Sequence, residues 1–98
     1  MWHEVFVDAS AWIALNDRGD QYHNAAVAAY SGLIQERRPL VTTNLVVAEA
    51  QIAIRRAGGF GPAARFLESI HQRHRLERIY SDPELELVAE RILRQFRD

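Results

Sequence analysis

Along these 98 residues the spacing of apolar positions changes several times, and each change marks an element. Val5-Phe6-Val7 is a short β-branched and aromatic run without alternation, the pattern of a strand buried in a parallel sheet. Residues 10–15 read as a short helix, and Asn16-Asp17-Arg18-Gly19-Asp20 as a turn whose last aspartate can cap the next helix. That helix is predicted over residues 21–37, with Tyr22, Ala26, Ala29, Tyr30 and Leu33 at helical spacing and Pro39 stopping it. Residues 40–42 form a second strand. Thr43 or Asn44 then supplies the oxygen that caps a helix running to about Ala57, closed by Gly58-Gly59.

Pro62 suits the first turn of another helix, with Ala63, Phe66, Leu67 and Ile70 on one face and an end near His74. Residues 76–80 are the weakest strand, because arginine and glutamate interrupt them. Ser81 and Glu84 have capping-box spacing around Pro83, and Leu85, Val88, Ala89, Ile92 and Phe96 follow as an apolar stripe. Strands alternating with helices predict an α/β fold, a short parallel β-sheet flanked by helices. The last helix reaches Arg97-Asp98 without a glycine, asparagine or proline to finish it, so residues 1–98 are expected to form a single domain incomplete at its C-terminus.

Composition narrows the chemistry. No cysteine is present, so a metal would be held by oxygen or imidazole, and a cytoplasmic location is expected. No basic and apolar leader and no membrane-length apolar run occurs. Twelve basic against thirteen acidic residues leave a formal charge of −1, so a polyanion would have to be met locally. All twelve are arginine, whose planar fork grips phosphate and carboxylate by paired hydrogen bonds. The stretches G-x-G-x-x-G and G-x-x-x-x-G-K-[ST] are absent, which removes the dinucleotide and P-loop readings.

Two acids stand out. Asp8 falls at the carboxyl end of the first strand, where open parallel sheets bind ligands, although the same position suits a helix cap. Glu49 has Leu45, Val46, Ile52 and Ala53 at −4, −3, +3 and +4, which predicts that it projects from the inward stripe of its helix. A carboxylate so placed needs an arginine, a hydrogen-bond network or a cation. Two carboxylates converging at one end of a sheet repel unless a proton or cation lies between them, and oxygen donors suit Mg²⁺ or Mn²⁺.

At these residues the chain resembles the PIN-domain family, and within it the VapC-type toxins of toxin–antitoxin pairs. The matching stretches are "VFVDASAWIAL" with Asp8, "DQYHNAAVAAY" with His23 and Ala26, "LVTTNLVVAEA" with Glu49, and "ELVAERILRQFRD", in order over nearly the whole chain. The resemblance implies a ribonuclease that hydrolyses RNA phosphodiesters with Mg²⁺ or Mn²⁺ held by Asp8, Glu49 and one or two later aspartates. Ser10 and Asn44 match polar positions near the metal. It also implies an RNA substrate, a cognate antitoxin and a homodimer. The family continues past this last helix into a segment carrying its third acid, and Asp98 suits the residue before that loop better than a ligand. Weak metal binding is therefore expected of these 98 residues alone, and an inactive fragment is consistent with it.

Other candidates carry less. His71 and His74 are three apart on a helix, a spacing that can bind zinc but more often marks solvated surface. Arg55-Arg56 and Arg73-His74-Arg75 are candidates for phosphate or acidic-partner contacts. Trp2 and Trp12 suit core or interface anchors. An aspartyl-phosphate nucleophile at Asp8 is the rival chemistry, disfavoured because Ser10 stands where such phosphatases carry a second aspartate. The rival from another class is a non-catalytic interaction module whose acids only cap and pair.

Overall fold

A computed structural model describes residues 3–73 and 75–95. The elements run β1 (Val5–Phe6), α1 (Ala9–Asn16), α2 (His23–Gln35), β2 (Leu40–Thr43), α3 (Asn44–Gly58), α4 (Phe60–Gln72), β3 (Leu76–Ile79) and α5 (Pro83–Gln95). The strands form one parallel sheet in the order β1-β2-β3, with Val5 opposite Leu40 and Leu40 opposite Leu76. Helical crossovers between parallel strands put every strand's carboxyl end at one edge of the sheet and every helix-to-strand return at the other.

The core gathers where α1, α3 and α4 meet the sheet. Trp12 and Ala50 are fully enclosed, and Val7, Leu40, Val47, Ile54, Phe66 and Ile70 pack around them. Trp12 lies between aromatic neighbours, 5.8 Å from the Phe66 ring and 6.2 Å from the Tyr30 ring, both tilted. Such tilted contacts set ring edges against ring faces, and burying an aromatic side chain of this size contributes about 1.5–3 kcal/mol.

Helix ends follow local chemistry and explain where the spans differ from the sequence reading. Thr43 caps α3, its hydroxyl accepting from the Val46 amide at 3.1 Å. Gly59, at φ +90°, ends α3 with its amide donating to the Arg55 carbonyl, a conformation that disfavours side chains. Pro62 sits in the first turn of α4, which begins two residues earlier than it. Helix α2 starts at His23, later than predicted, because Asp20 accepts from the Tyr22 amide inside the preceding turn and provides no side-chain cap. It also stops earlier. Arg37 takes φ +55°, Arg38 donates back to the Leu33 carbonyl and Arg37 to that of Ile34, a Schellman closure with arginine where glycine is usual.

The predicted capping box at Ser81 and Glu84 does not form. Asp82 caps α5 instead, accepting from the Leu85 amide at 2.8 Å, while the Ser81 amide is drawn to Asn44. Helix α5 contributes no buried residue: Leu85, Val88 and Ile92 are 44%, 44% and 52% exposed, so its predicted stripe exists but meets no core. Phe96, Trp2, His74 and Asp98 lie outside the described residues. Among those described, no helix is long and apolar enough to cross a membrane.

Candidate active site

Asp8 and Asn44 directly follow β1 and β2 at the carboxyl edge of the sheet, Ser10 is two residues further on, and Glu49 lies more than one turn into α3. Asp8 follows β1 and is the N-cap of α1; its Oδ1 accepts from the Ala9 amide at 2.8 Å. The cap engages one carboxylate oxygen. Among the described residues no donor reaches the other, and the side chain is exposed. Ser10, second residue of α1, is also exposed.

Asn44 opens α3 directly after β2. Its Oδ1 accepts from the Ser81 amide at 2.9 Å, joining the exit of β3 to the start of α3. That bond ties the ends of the adjacent strands β2 and β3, and among the described residues it leaves the Asn44 amide nitrogen as the group free to donate.

Glu49 is the sixth residue of α3, and the structure corrects the predicted orientation. The inward stripe of α3 is Val47, Ala50 and Ile54, whereas Leu45 and Ile52 are 60% and 49% exposed and Glu49 shares their outer face. The helix is apolar on both sides, so spacing alone could not choose; fully buried Ala50 shows which side lies close to its neighbours. Glu49 therefore needs no partner to offset burial. It also has no arginine: among the described residues the only ion pair is Arg38 with Glu36, at 3.5 Å.

A residue the sequence reading missed supports this edge. Thr42 is fully buried; its hydroxyl donates to the Val7 carbonyl at 3.0 Å and accepts from Trp12 Nε1 at 3.2 Å. It ties the end of β1, one residue before Asp8, to β2 and to α1. The signal was a hydroxyl inside an apolar strand together with a tryptophan whose N–H must find an acceptor when buried.

The histidines have other partners. His23 Nδ1 lies 2.7 Å from the Ala14 carbonyl, which requires the proton on that nitrogen and joins α2 to α1. His71 Nδ1 accepts from Arg78 at 3.0 Å. A cavity of about 620 Å³ lies near Asn16, Arg18, His23, Ala57 and Arg65 and includes none of the four candidates.

The chain belongs to the PIN-domain family, whose profile matches residues 5–97. Among solved structures it is similar to VapC20 of Mycobacterium tuberculosis, described as a toxin that cleaves the sarcin-ricin loop. The two share 26% identity with a TM-score of 0.75, over 94% of this chain and 68% of that one. A search of curated proteins finds no significant match.

Members of this family are typically metal-dependent. The donor set here fits a hard cation in kind: two exposed carboxylates and a hydroxyl, all oxygen, with neither acid ion-paired. In number it is sparse, since no group of three or more acidic, histidine or cysteine side chains converges among the described residues.

Proposed function

We propose that this chain forms the catalytic part of a metal-dependent endoribonuclease, the toxin of a toxin–antitoxin pair, with Asp8 and Glu49 holding Mg²⁺ or Mn²⁺. The observation that carries the reading is the pair of exposed, unpaired carboxylates that follow adjacent parallel strands, in a chain with the PIN fold. When bound, such a cation supplies Lewis acidity and makes water a better nucleophile at neutral pH. The chain's own residues do the rest. Asp8 is held by its cap so that one oxygen faces outward, the Asn44 amide nitrogen and Ser10 hydroxyl donate toward phosphate oxygens, and Thr42 fixes the strand end beneath them.

An RNA substrate is supported by the family and by the relative's description, and a cognate antitoxin by the likeness to a VapC toxin. A homodimer is supported by α5. Its exposed stripe is self-complementary in an antiparallel pair: Leu85 faces Ile92 of a second copy, Val88 faces Ala89, and Glu84 on one flank meets Arg91. The small central pair lets the helices approach closely.

The alternative is an interaction module whose acids are structural, and the observation in its favour is that Asp8 caps α1. Cleavage separates the two. The nuclease should cut RNA with Mg²⁺ or Mn²⁺, stop with EDTA, and fall to background in Asp8→Asn and in Glu49→Gln; cutting that survives both substitutions would remove the proposal.

A further inference from the structure

The edge of the sheet away from the carboxylates is rich in arginine. The return from α2 to β2 carries Arg37 and Arg38, and the return from α4 to β3 carries Arg73 and Arg75. They lie side by side because β2 and β3 are adjacent: the Leu40 amide donates to the Arg75 carbonyl, and Arg75 Nη1 donates to the Arg37 carbonyl at 3.3 Å.

These guanidinium groups are mostly bound to neutral partners. Arg38 donates through Nε and Nη2 to the His3 carbonyl, at 3.3 and 3.2 Å, and reaches Glu36 at 3.5 Å. Arg73 is half-buried, stacked 4.8 Å from the Tyr30 ring and 5.2 Å from the Trp12 ring, with hydrogen bonds to the Tyr30 and Ser69 hydroxyls. Its Nε is buried and has no hydrogen-bond partner among the described residues. Arginines here also complement the carboxyl ends of α2 and α4, but each helix end offsets only about half a charge. Four cations against Glu36 and neighbouring Glu4 leave a local positive excess in a chain whose formal charge is −1. Arg37 further occupies a left-handed conformation unfavourable for a non-glycine residue, so arginine sits there despite the backbone.

Between these returns opens a cavity of about 260 Å³, lined by Arg73 and Arg75, the Tyr30 ring, and Ile34, Leu40 and Leu76, with no carboxylate in its wall. Guanidinium donors beside an apolar floor suit one nucleotide of a chain, its phosphate on the arginines and its sugar against the apolar side chains, while the Tyr30 ring carries the Arg73 guanidinium.

We infer that this arginine edge is a second RNA-contacting site, binding backbone phosphate away from the carboxylates. It deepens the nuclease reading and rests on RNA being the substrate. The contact is electrostatic, so its effect depends on salt.

The test uses the Asp8→Asn chain in EDTA, so that neither cleavage nor cation binding enters, with fluorescence anisotropy on single-stranded RNAs of about 4 and about 20 nucleotides. Arg38→Ala/Arg75→Ala should weaken binding of the longer RNA about tenfold and reduce its salt slope by about 1.4, and should weaken the short RNA as well, because without a cation the arginine edge is the phosphate site left to it. Arg55→Ala/Arg56→Ala, at the exit of α3, should change affinity less than twofold. Equal losses for the two variants, an unchanged salt slope, or tight binding of adenosine monophosphate without any effect on RNA would overturn the assignment. Because cleavage is not the readout, failure of the nuclease proposal leaves this result legible, and an absent arginine effect leaves cleavage untouched.

Discussion

Replacing Thr42 with valine keeps the shape of the side chain and removes its hydroxyl. In the folded protein that hydroxyl is fully buried and serves two groups, accepting from Trp12 Nε1 at 3.2 Å and donating to the Val7 carbonyl at 3.0 Å. Neither can turn to water, since Trp12 is itself completely enclosed. A buried donor left without a partner costs about 1–3 kcal/mol, and an isosteric exchange adds little for cavity or strain. A loss of about 2 kcal/mol is therefore expected, and for a domain of this length each kcal/mol lowers the melting temperature by about 4–8 °C. Thr42→Val should melt about 10 °C or more below the parent by circular dichroism. Thr42→Ser keeps the hydroxyl and loses one methyl, costing about 1 kcal/mol, so it should be the more stable variant. A Thr42→Val protein as stable as the parent, or more stable than Thr42→Ser, would refute the role given to this hydroxyl and with it the tie between β1 and α1 below Asp8.

Two further outcomes follow. Asp8→Asn and Glu49→Gln should fold with stabilities within about 0.5 kcal/mol of the parent in urea titrations, because asparagine also caps helices and Glu49 is exposed and unpaired. Val88→Glu sets a charge against Ala89 of the second copy at the apolar centre of the α5 pair and should give a monomer by light scattering at concentrations where the parent is dimeric; since α5 buries nothing in its own chain, the variant should keep the parent's melting temperature once both are monomeric.

The order of elements could be read from the sequence because each change of period coincides with a change of backbone. The Gly58-Gly59 stop, the apolar face of α4 and the threonine cap of α3 depend on neighbours within a few residues, and they appear where local chemistry puts them. Misreadings arose where a distant partner decided. Asp82 caps α5 in place of Ser81, and the Ser81 amide that a capping box would give to Glu84 goes to Asn44, 37 residues away. Glu49 sits on the outer side of α3 because α1 and α4 pack on the other, and a helix with apolar residues all around does not reveal which side that is. The candidate site was legible as residues, two acids after successive strands, while the burial first invoked to require a cation is absent. What replaces it is the fold: parallel pairing of β1 with β2 brings the ends that carry Asp8 and Asn44 side by side.

Mn²⁺ titration followed by amide NMR tests most directly whether Asp8 and Glu49 share a cation, since a paramagnetic ion broadens the nearest signals first. At low Mn²⁺ the amides of Ala9, Ser10 and Glu49 should broaden together and ahead of all others, and either Asp8→Asn or Glu49→Gln should abolish both sets. Broadening confined to one of the two carboxylates, or beginning elsewhere on the chain, would contradict the shared site.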